Sequence, residues 1–433
     1  MKMKSSIISA LLASLMLVCS ATAEELTNKE ILERIKKLEQ KNAELEAKLA
    51  EKEAQDKEKV HEIVEDHLDK LNFDEAYAQA SAEAFNLSKY TKSFEWSGDL
   101  RLRHQYEETD DGTEGDRRRF RTRFRLGMKW KNKDGNWEIG AGLATGGSDG
   151  RSTNFTHGGG SDFLFQTGDT RFDYAYAKHK WEKGSATLGQ QKNPFLTSKL
   201  FWDGDLRPVG ATYQYGAGND KKFQGLFFTG GAYIIDDVSS GRDEDSAEMF
   251  AAQIGYIFGV SNGMMKLAAG FQHWDSASVQ DYLGASDDAE YNVMDFYFFY
   301  GMKKGEMAVD FWAHLGINAG ADGGSIAGLG EDADENDTAF AVGVDVKAGK
   351  FKFGAQYVHI EADSLFPYQT DSDYFSGVGG TDGTNAEAFI LYGKYYFYKN
   401  LELGLKFIDS EAIEDGGSTD EGETWQLDLV YKF

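Results

Sequence analysis

Residues 117–130 read Arg117-Arg118-Arg119-Phe120-Arg121-Thr122-Arg123-Phe124-Arg125-Leu126-Gly127-Met128-Lys129-Trp130. Phe120, Phe124, Leu126, Met128 and Trp130 share one parity. Arg117, Arg119, Arg121, Arg123 and Arg125 share the other. Successive side chains of a β-strand point to opposite faces, so this stretch is a strand with one apolar and one cationic side. Five guanidinium groups in a row need water, while the apolar side needs lipid or a core.

Outward from this stretch the same period recurs. Phe94, Trp96, Leu100 and Leu102 alternate with Glu95, Asp99, Arg101 and Arg103. At the other end Trp425, Leu427, Leu429, Tyr431 and Phe433 alternate with Gln426, Asp428, Val430 and Lys432. Further strands are predicted to begin near Trp137, Thr170, Ser185, Pro208, Lys222, Ala247, Met264, Tyr291, Glu306, Asp337, Phe351, Ala386 and Leu401, which makes sixteen. The strand from Lys222 has Phe on both faces, so its register stays open. Short connections (132–136, 182–184, 216–221, 259–263, 302–305, 348–350, 398–400) alternate with long ones (107–116, 147–169, 193–207, 231–246, 275–290, 317–336, 362–385, 411–423). Short turns at one end, long loops at the other and aromatic residues near strand ends are the pattern of an antiparallel transmembrane β-barrel. A soluble β-sandwich alternates too. It would not give so regular a rhythm or so many charges on the second face. A propeller would show a blade repeat, and none is visible.

Composition narrows the function. The chain has 433 residues, 49 Gly, 14% aromatics, one Cys and a net charge of −26. One Cys excludes a disulfide scaffold and a multi-Cys metal site. The acidic balance speaks against a nucleic-acid binder. A mean hydropathy of −0.51 excludes a bundle of membrane helices but not a barrel, where only alternate residues meet lipid. Lys2 and Lys4, the apolar run Ile7–Val18 and Ala21-Thr22-Ala23 form a signal peptide over 1–23, so the chain is exported. Cys19 after the bulky Val18 is a poor lipidation site.

Residues 24–56 are predicted to be a coiled-coil stalk. Ile31, Leu38 and Leu45 repeat every seven residues, as do Ile35, Asn42 and Leu49. That is an a/d seam with Asn42 at an a position, and a seam so narrow implies self-association. The alternatives are a solvated single helix and a helix folded on its own barrel. Residues 57–92 continue as a helical segment and linker, and 93–433 form the barrel. An even strand number puts both barrel ends on the short-turn side, where the stalk would hang.

Gly98-Asp99-Leu100-Arg101-Leu102-Arg103, the Arg-rich second strand, Gly189-Gln190-Gln191-Lys192-Asn193-Pro194-Phe195 and Trp202-Asp203-Gly204-Asp205-Leu206-Arg207-Pro208 carry a resemblance. Over residues 94–433 the chain resembles the trimeric porins of Gram-negative outer membranes, among them those related to phosphate-selective porins. The resemblance implies a homotrimer in the outer membrane, with the stalk in the periplasm, in contact with lipid and lipopolysaccharide. Small solutes or anions would pass it, and it needs no cofactor. It also implies that the terminal Phe433 is read as an assembly signal. The third long loop would fold into the barrel and bring Lys199, Asp203, Asp205 and Arg207 to a constriction. The stalk departs from the simplest porins and leaves open a contact with the cell wall.

The candidate site is the arginine row. Arg101 and Arg103 on the first strand lie beside Arg117, Arg119, Arg121, Arg123 and Arg125 on the second, all expected to line the lumen. Like charges directly opposite are destabilising unless something offsets them. Arg is always charged and offers a fork to phosphate and carboxylate. Eight residue steps span about 27 Å of strand, so the row is an anion rail. The alternative is one wall of a transverse field, faced by Glu95, Asp99, Asp173, Asp310, Asp345 and Glu361. Arg118 falls on the lipid side near the rim. The remaining loops are acidic and glycine-rich and read as solvated tips. No metal spacing occurs among the eight His. No Gly-x-Ser-x-Gly elbow is present, so an enzyme is not expected. The reading is a passive diffusion channel. Its rival is a structural tether whose barrel conducts little or nothing.

Overall fold

The computed structural model describes residues 90–433 apart from 111–115, 148–149, 159–166, 217–223, 237–246, 276–289, 322–335, 372, 375–377, 379–382 and 415–419. Before residue 90 it describes Glu33, Lys36, Lys37, Gln40, Lys41, Glu44, Lys48, Glu51, Lys52 and Lys59, all helical and exposed. The signal peptide and the seam residues Ile31, Ile35, Leu38, Asn42, Leu45 and Leu49 lie outside the described residues.

The strands are β1 Thr91–Thr109, β2 Arg117–Asn132, β3 Trp137–Thr145, β4 Phe155–His157, β5 Thr170–Trp181, β6 Gly184–Gln190, β7 Val209–Tyr215, β8 Gly225–Asp236 and β9 Ala247–Val260. They continue as β10 Gly263–Trp274, β11 Tyr291–Lys304, β12 Met307–Asn318, β13 Thr338–Ala348, β14 Phe351–Ile360, β15 Ala386–Tyr398, β16 Leu401–Ala412 and β17 Glu421–Lys432. Each pairs antiparallel with its chain neighbours, and β1 pairs with β17, which closes the ring. The short β4 lies outside this sequence of pairs, because it pairs with β2 above the end of β3, which joins β5. Sixteen long strands therefore make the barrel. Closure leaves no open sheet edge, as a spanning sheet requires.

Burial follows strand parity. Phe389 and Leu391 of β15 are exposed, while Ala388 and Ile390, which alternate with them, are buried. Similar apolar belts run around the outside, for example Leu226 and Phe228 on β8, where Phe227 points inward and is buried. This fixes the register left open around Lys222. The strand begins at Gly225, three residues later than the alternation suggests. Closure also uses the C-terminus. Phe433 and Gly98 exchange both backbone hydrogen bonds, at 2.8 and 3.1 Å, and the Phe433 ring stacks on Phe124. A Cβ on Gly98 would lie 2.6 Å from the Phe433 ring and 2.3 Å from the Arg125 carbonyl oxygen, so only Gly seats this end.

The outward parity carries a direct prediction. Leu391→Arg, midway along β15, is expected to cost about 2–4 kcal/mol in lipid, whereas Leu391→Ala costs less. Urea unfolding from vesicles measures the difference. Equal costs for the two variants would contradict the lipid-facing register.

The inside is not an empty tube. On the β8–β16 side, the half nearer the long loops is filled by two of those loops. Leu200, Phe201 and Trp202 of the 191–208 loop, and Leu365, Phe366, Tyr374 and Val378 of the 361–385 loop, are buried together with inward residues such as Met249, Tyr291, Val358 and Ile390. Phe201 stacks on His314 at 4.1 Å, and Phe366 stacks on Trp274 at 4.4 Å. The sequence reading treats 362–385 as a solvated tip. The correction has a physical cause: Leu365-Phe366-Pro367-Tyr368 is an apolar block that water would not hold.

Candidate functional site: the arginine wall and the cavity beneath the loops

β1 and β2 bring the arginines into direct cross-strand register. Arg101 faces Arg123, and Arg103 faces Arg121. Two such pairs would repel, and carboxylates are threaded between them. Asp99 accepts from Arg123 Nε at 2.9 Å and Arg125 Nε at 2.8 Å, so one carboxylate bridges two guanidinium groups. Glu107 accepts from Arg119. Asp428 of β17 takes the Arg103 fork with two bonds, 2.7 and 2.9 Å. Such planar bidentate pairs hold an arginine in one rotamer. The outermost members differ. Arg117 is exposed at the loop end of β2. Arg118 is exposed on the outer parity, with its guanidinium over the Tyr106 ring at 5.6 Å.

The 191–208 loop enters the barrel and is clamped from three sides. The Gln253 amide of β9 exchanges two 2.8 Å bonds with the Leu196 backbone. Ser198 lies against His314 Nδ1 of β12, whose Nε2 meets Asp295. Asp205 accepts from Arg125 at 3.2 Å and from Thr153 Oγ1 at 2.8 Å. Arg207 pairs with Asp173 at 3.0 Å. Asp203 does not face the arginines. Its carboxylate accepts from the Asp205 backbone N–H at 2.7 Å, and its own N–H donates to the Gln369 carbonyl at 2.8 Å. Burial, with Asp371 nearby, pushes the Asp203 carboxyl up to about 9. It acts as a turn residue joining the two inward loops. Lys199 points away from all of these, into a cavity.

That cavity, about 420 Å³, lies beneath the two loops and is open on one side. Its charged lining is Arg101, Arg103, Lys199, Lys352, Lys394 and Lys406 against Asp345 and Asp428. Tyr297, Phe299, Trp312, Tyr374 and Tyr392 supply aromatic faces. Lys352 pairs with Asp345, and Lys394 with Glu402. Arg101 has no carboxylate within ion-pair distance among the described residues; it donates to Asn154 Oδ1 at 2.5 Å. Lys199 and Lys406 likewise have no ion pair among the described residues. Lys406 sits over the Tyr374 ring at 5.0 Å.

Sequence reading identifies the arginine wall and misses the lysine wall. Lys352, Lys394 and Lys406 stand singly on three strands, and only closure of the ring through β17 brings them around one cavity with Arg101. Of the carboxylates expected to face the arginines, Asp99 sits among them, while Asp173 holds Arg207 and Asp345 holds Lys352 and accepts from Tyr392. Among the described residues no group of His, Cys, Asp and Glu is arranged to hold a metal.

Residues 109–305 match the model of a family described as "Putative porin". Among solved structures, the chain is similar to the outer membrane channel DcaP of Acinetobacter baumannii, at 14% identity over 79% of this chain and 97% of that one, with a TM-score of 0.48. OccK8 (OprE) of Pseudomonas aeruginosa is similar at 12% identity over 79% and 99%, with a TM-score of 0.46. The trimer form of OmpT from Vibrio cholerae is similar at 12% identity over 79% and 99%, with a TM-score of 0.44. No curated protein matches.

Proposed function

We propose that the chain is a passive outer-membrane channel that favours small hydrophilic anions. The observation that carries this reading is the charge of the cavity: six cations against two carboxylates, four positive charges in excess. Rings of fixed charge set the ion preference of a pore. The low-dielectric wall makes each charge act more strongly than it would in water. The arginine row itself contributes less than its sequence suggests, because Asp99, Glu107, Asp205, Asp373 and Asp428 neutralise most of it. Lys199, Lys406 and Arg101 carry the preference instead. In this reading passage needs neither covalent chemistry nor a cofactor.

In the same proposal the 24–56 heptads hold a homotrimer, with the stalk on the periplasmic side. Deleting 24–56 is expected to leave barrels that conduct but a trimer that dissociates at lower temperature. A heat-stable trimer after deletion would remove that role.

The tether reading has one observation in its favour, the filling of the interior by two loops. Reconstitution in a planar bilayer under a KCl gradient separates the two. A zero-current potential of anionic sign supports the channel, and absence of any conductance supports the tether.

A further inference from the structure

The 361–385 loop places two carboxylates where an anion would bind. Asp373 accepts from Arg103 Nη1 at 3.0 Å and lies 3.7 Å from Arg121. Arg103 is already matched in charge by Asp428, which takes its Nε and Nη2. One guanidinium therefore serves two carboxylates, and the second comes from a loop 270 residues along the chain. Asp371 is used differently. It accepts from the Asp373 backbone N–H at 3.0 Å and so fixes the turn that presents the Asp373 carboxylate. Next to this turn, Tyr374 carries Lys406 over its ring and lines the cavity with Lys199 and Arg101.

A strand pair that only needed its arginines charge-balanced could have used neighbouring strand residues, as it does with Asp99 and Asp428. A carboxylate on a loop is removable. We propose that Asp373 is a built-in competitor. It occupies the Arg103 and Arg121 subsite that a carboxylate or phosphate passing through the cavity would take, and an anion that displaces it frees this end of the loop from the arginine wall. The channel is then anion-activated: an anion that binds two guanidinium groups opens it more than chloride does. Phosphate and carboxylate share the required geometry, since both offer two oxygens to a fork. This rests on the anion-channel reading above, but the two fail separately.

The test uses the full chain in planar bilayers, with chloride as the current carrier and inorganic phosphate as the probe. For the wild type, phosphate at fixed chloride is expected to raise the open probability several-fold. Asp373→Asn is expected to be open without phosphate and to gain nothing from it, while Asp373→Glu behaves as the wild type. Phosphate that only reduces the wild-type current would overturn the latch, as would an Asp373→Asn channel that gates and responds like the wild type. The wild-type titration stands even if Asp373→Asn does not fold. Acetate in place of phosphate tells which anion class competes. The zero-current potential in the same records judges the anion preference independently, so loss of that reading and loss of the latch give different results.

Discussion

Replacing Lys199 and Lys406 together by Glu is expected to abolish anion preference. The lining carries six cations and two carboxylates. Each Lys→Glu exchange removes two positive charges, so the double variant brings the excess of four to zero. Both lysines lack an ion pair among the described residues, so no direct ion pair is broken, although Asp371 loses two nearby cations. Lys199 sits on a loop held by Gln253 and His314 rather than by its own side chain. Lys406 loses its contact with Tyr374, a cation–π pair of about 0.5–2 kcal/mol, and the longer-range attraction of Asp371 and Asp373. The ladders of β16 with β15 and β17 are untouched, so the barrel should fold. Arg121→Glu with Arg123→Glu makes a poor comparison, because it breaks the direct ion pairs with Asp373 and Asp99 and destabilises the wall. The measurement is the zero-current potential across a KCl gradient, with Lys199→Gln and Lys406→Gln as the halfway case. A double Glu variant that keeps the wild-type potential would show that permeating ions do not meet this cavity.

The barrel is legible in the sequence because its signal is local. Period two can be read along any ten residues, and the starts at Arg117, Trp137, Ala247, Tyr291, Phe351, Ala386 and Leu401 coincide with those of the strands. The arginine row is legible for the same reason, since two hairpin neighbours carry it. What fails to show is what depends on closure. Lys352 and Lys406 are far apart in sequence from Arg101 and look like ordinary solvated lysines until the ring places them around one cavity. The strand at 225–236 misleads because Leu226, Phe227 and Phe228 are consecutive, so apolarity cannot mark the outside where a loop makes part of the inside apolar as well. The 361–385 loop left a readable trace: its apolar block beside Pro367 is unusual among acidic, glycine-rich loops.

Phe366→Ala is expected to raise conductance more than any single charge change. The Phe366 ring is buried, stacked on Trp274 at 4.4 Å and edge-on to Tyr291 at 5.7 Å. Emptying such a site costs about 3–5 kcal/mol where the surroundings cannot collapse. Here the surroundings are barrel strands held by full ladders on both sides, so the cost falls on the loop. Every 1.4 kcal/mol is tenfold in an equilibrium, and about 3 kcal/mol therefore shifts the ratio of seated to released loop by roughly a hundredfold. Released loop vacates the interior beside β10, β11 and β15 and widens the passage. The strands should keep their urea midpoint, because their own hydrogen bonds and lipid-facing side chains are untouched. Two readouts separate loop release from general damage: single-channel conductance, expected to rise several-fold, and proteolysis within 361–385, expected to appear without cleavage in the strands. Increased conductance with an unchanged cleavage pattern would place the gain elsewhere. Unchanged conductance with a cleavable loop would mean that this loop does not limit the pore.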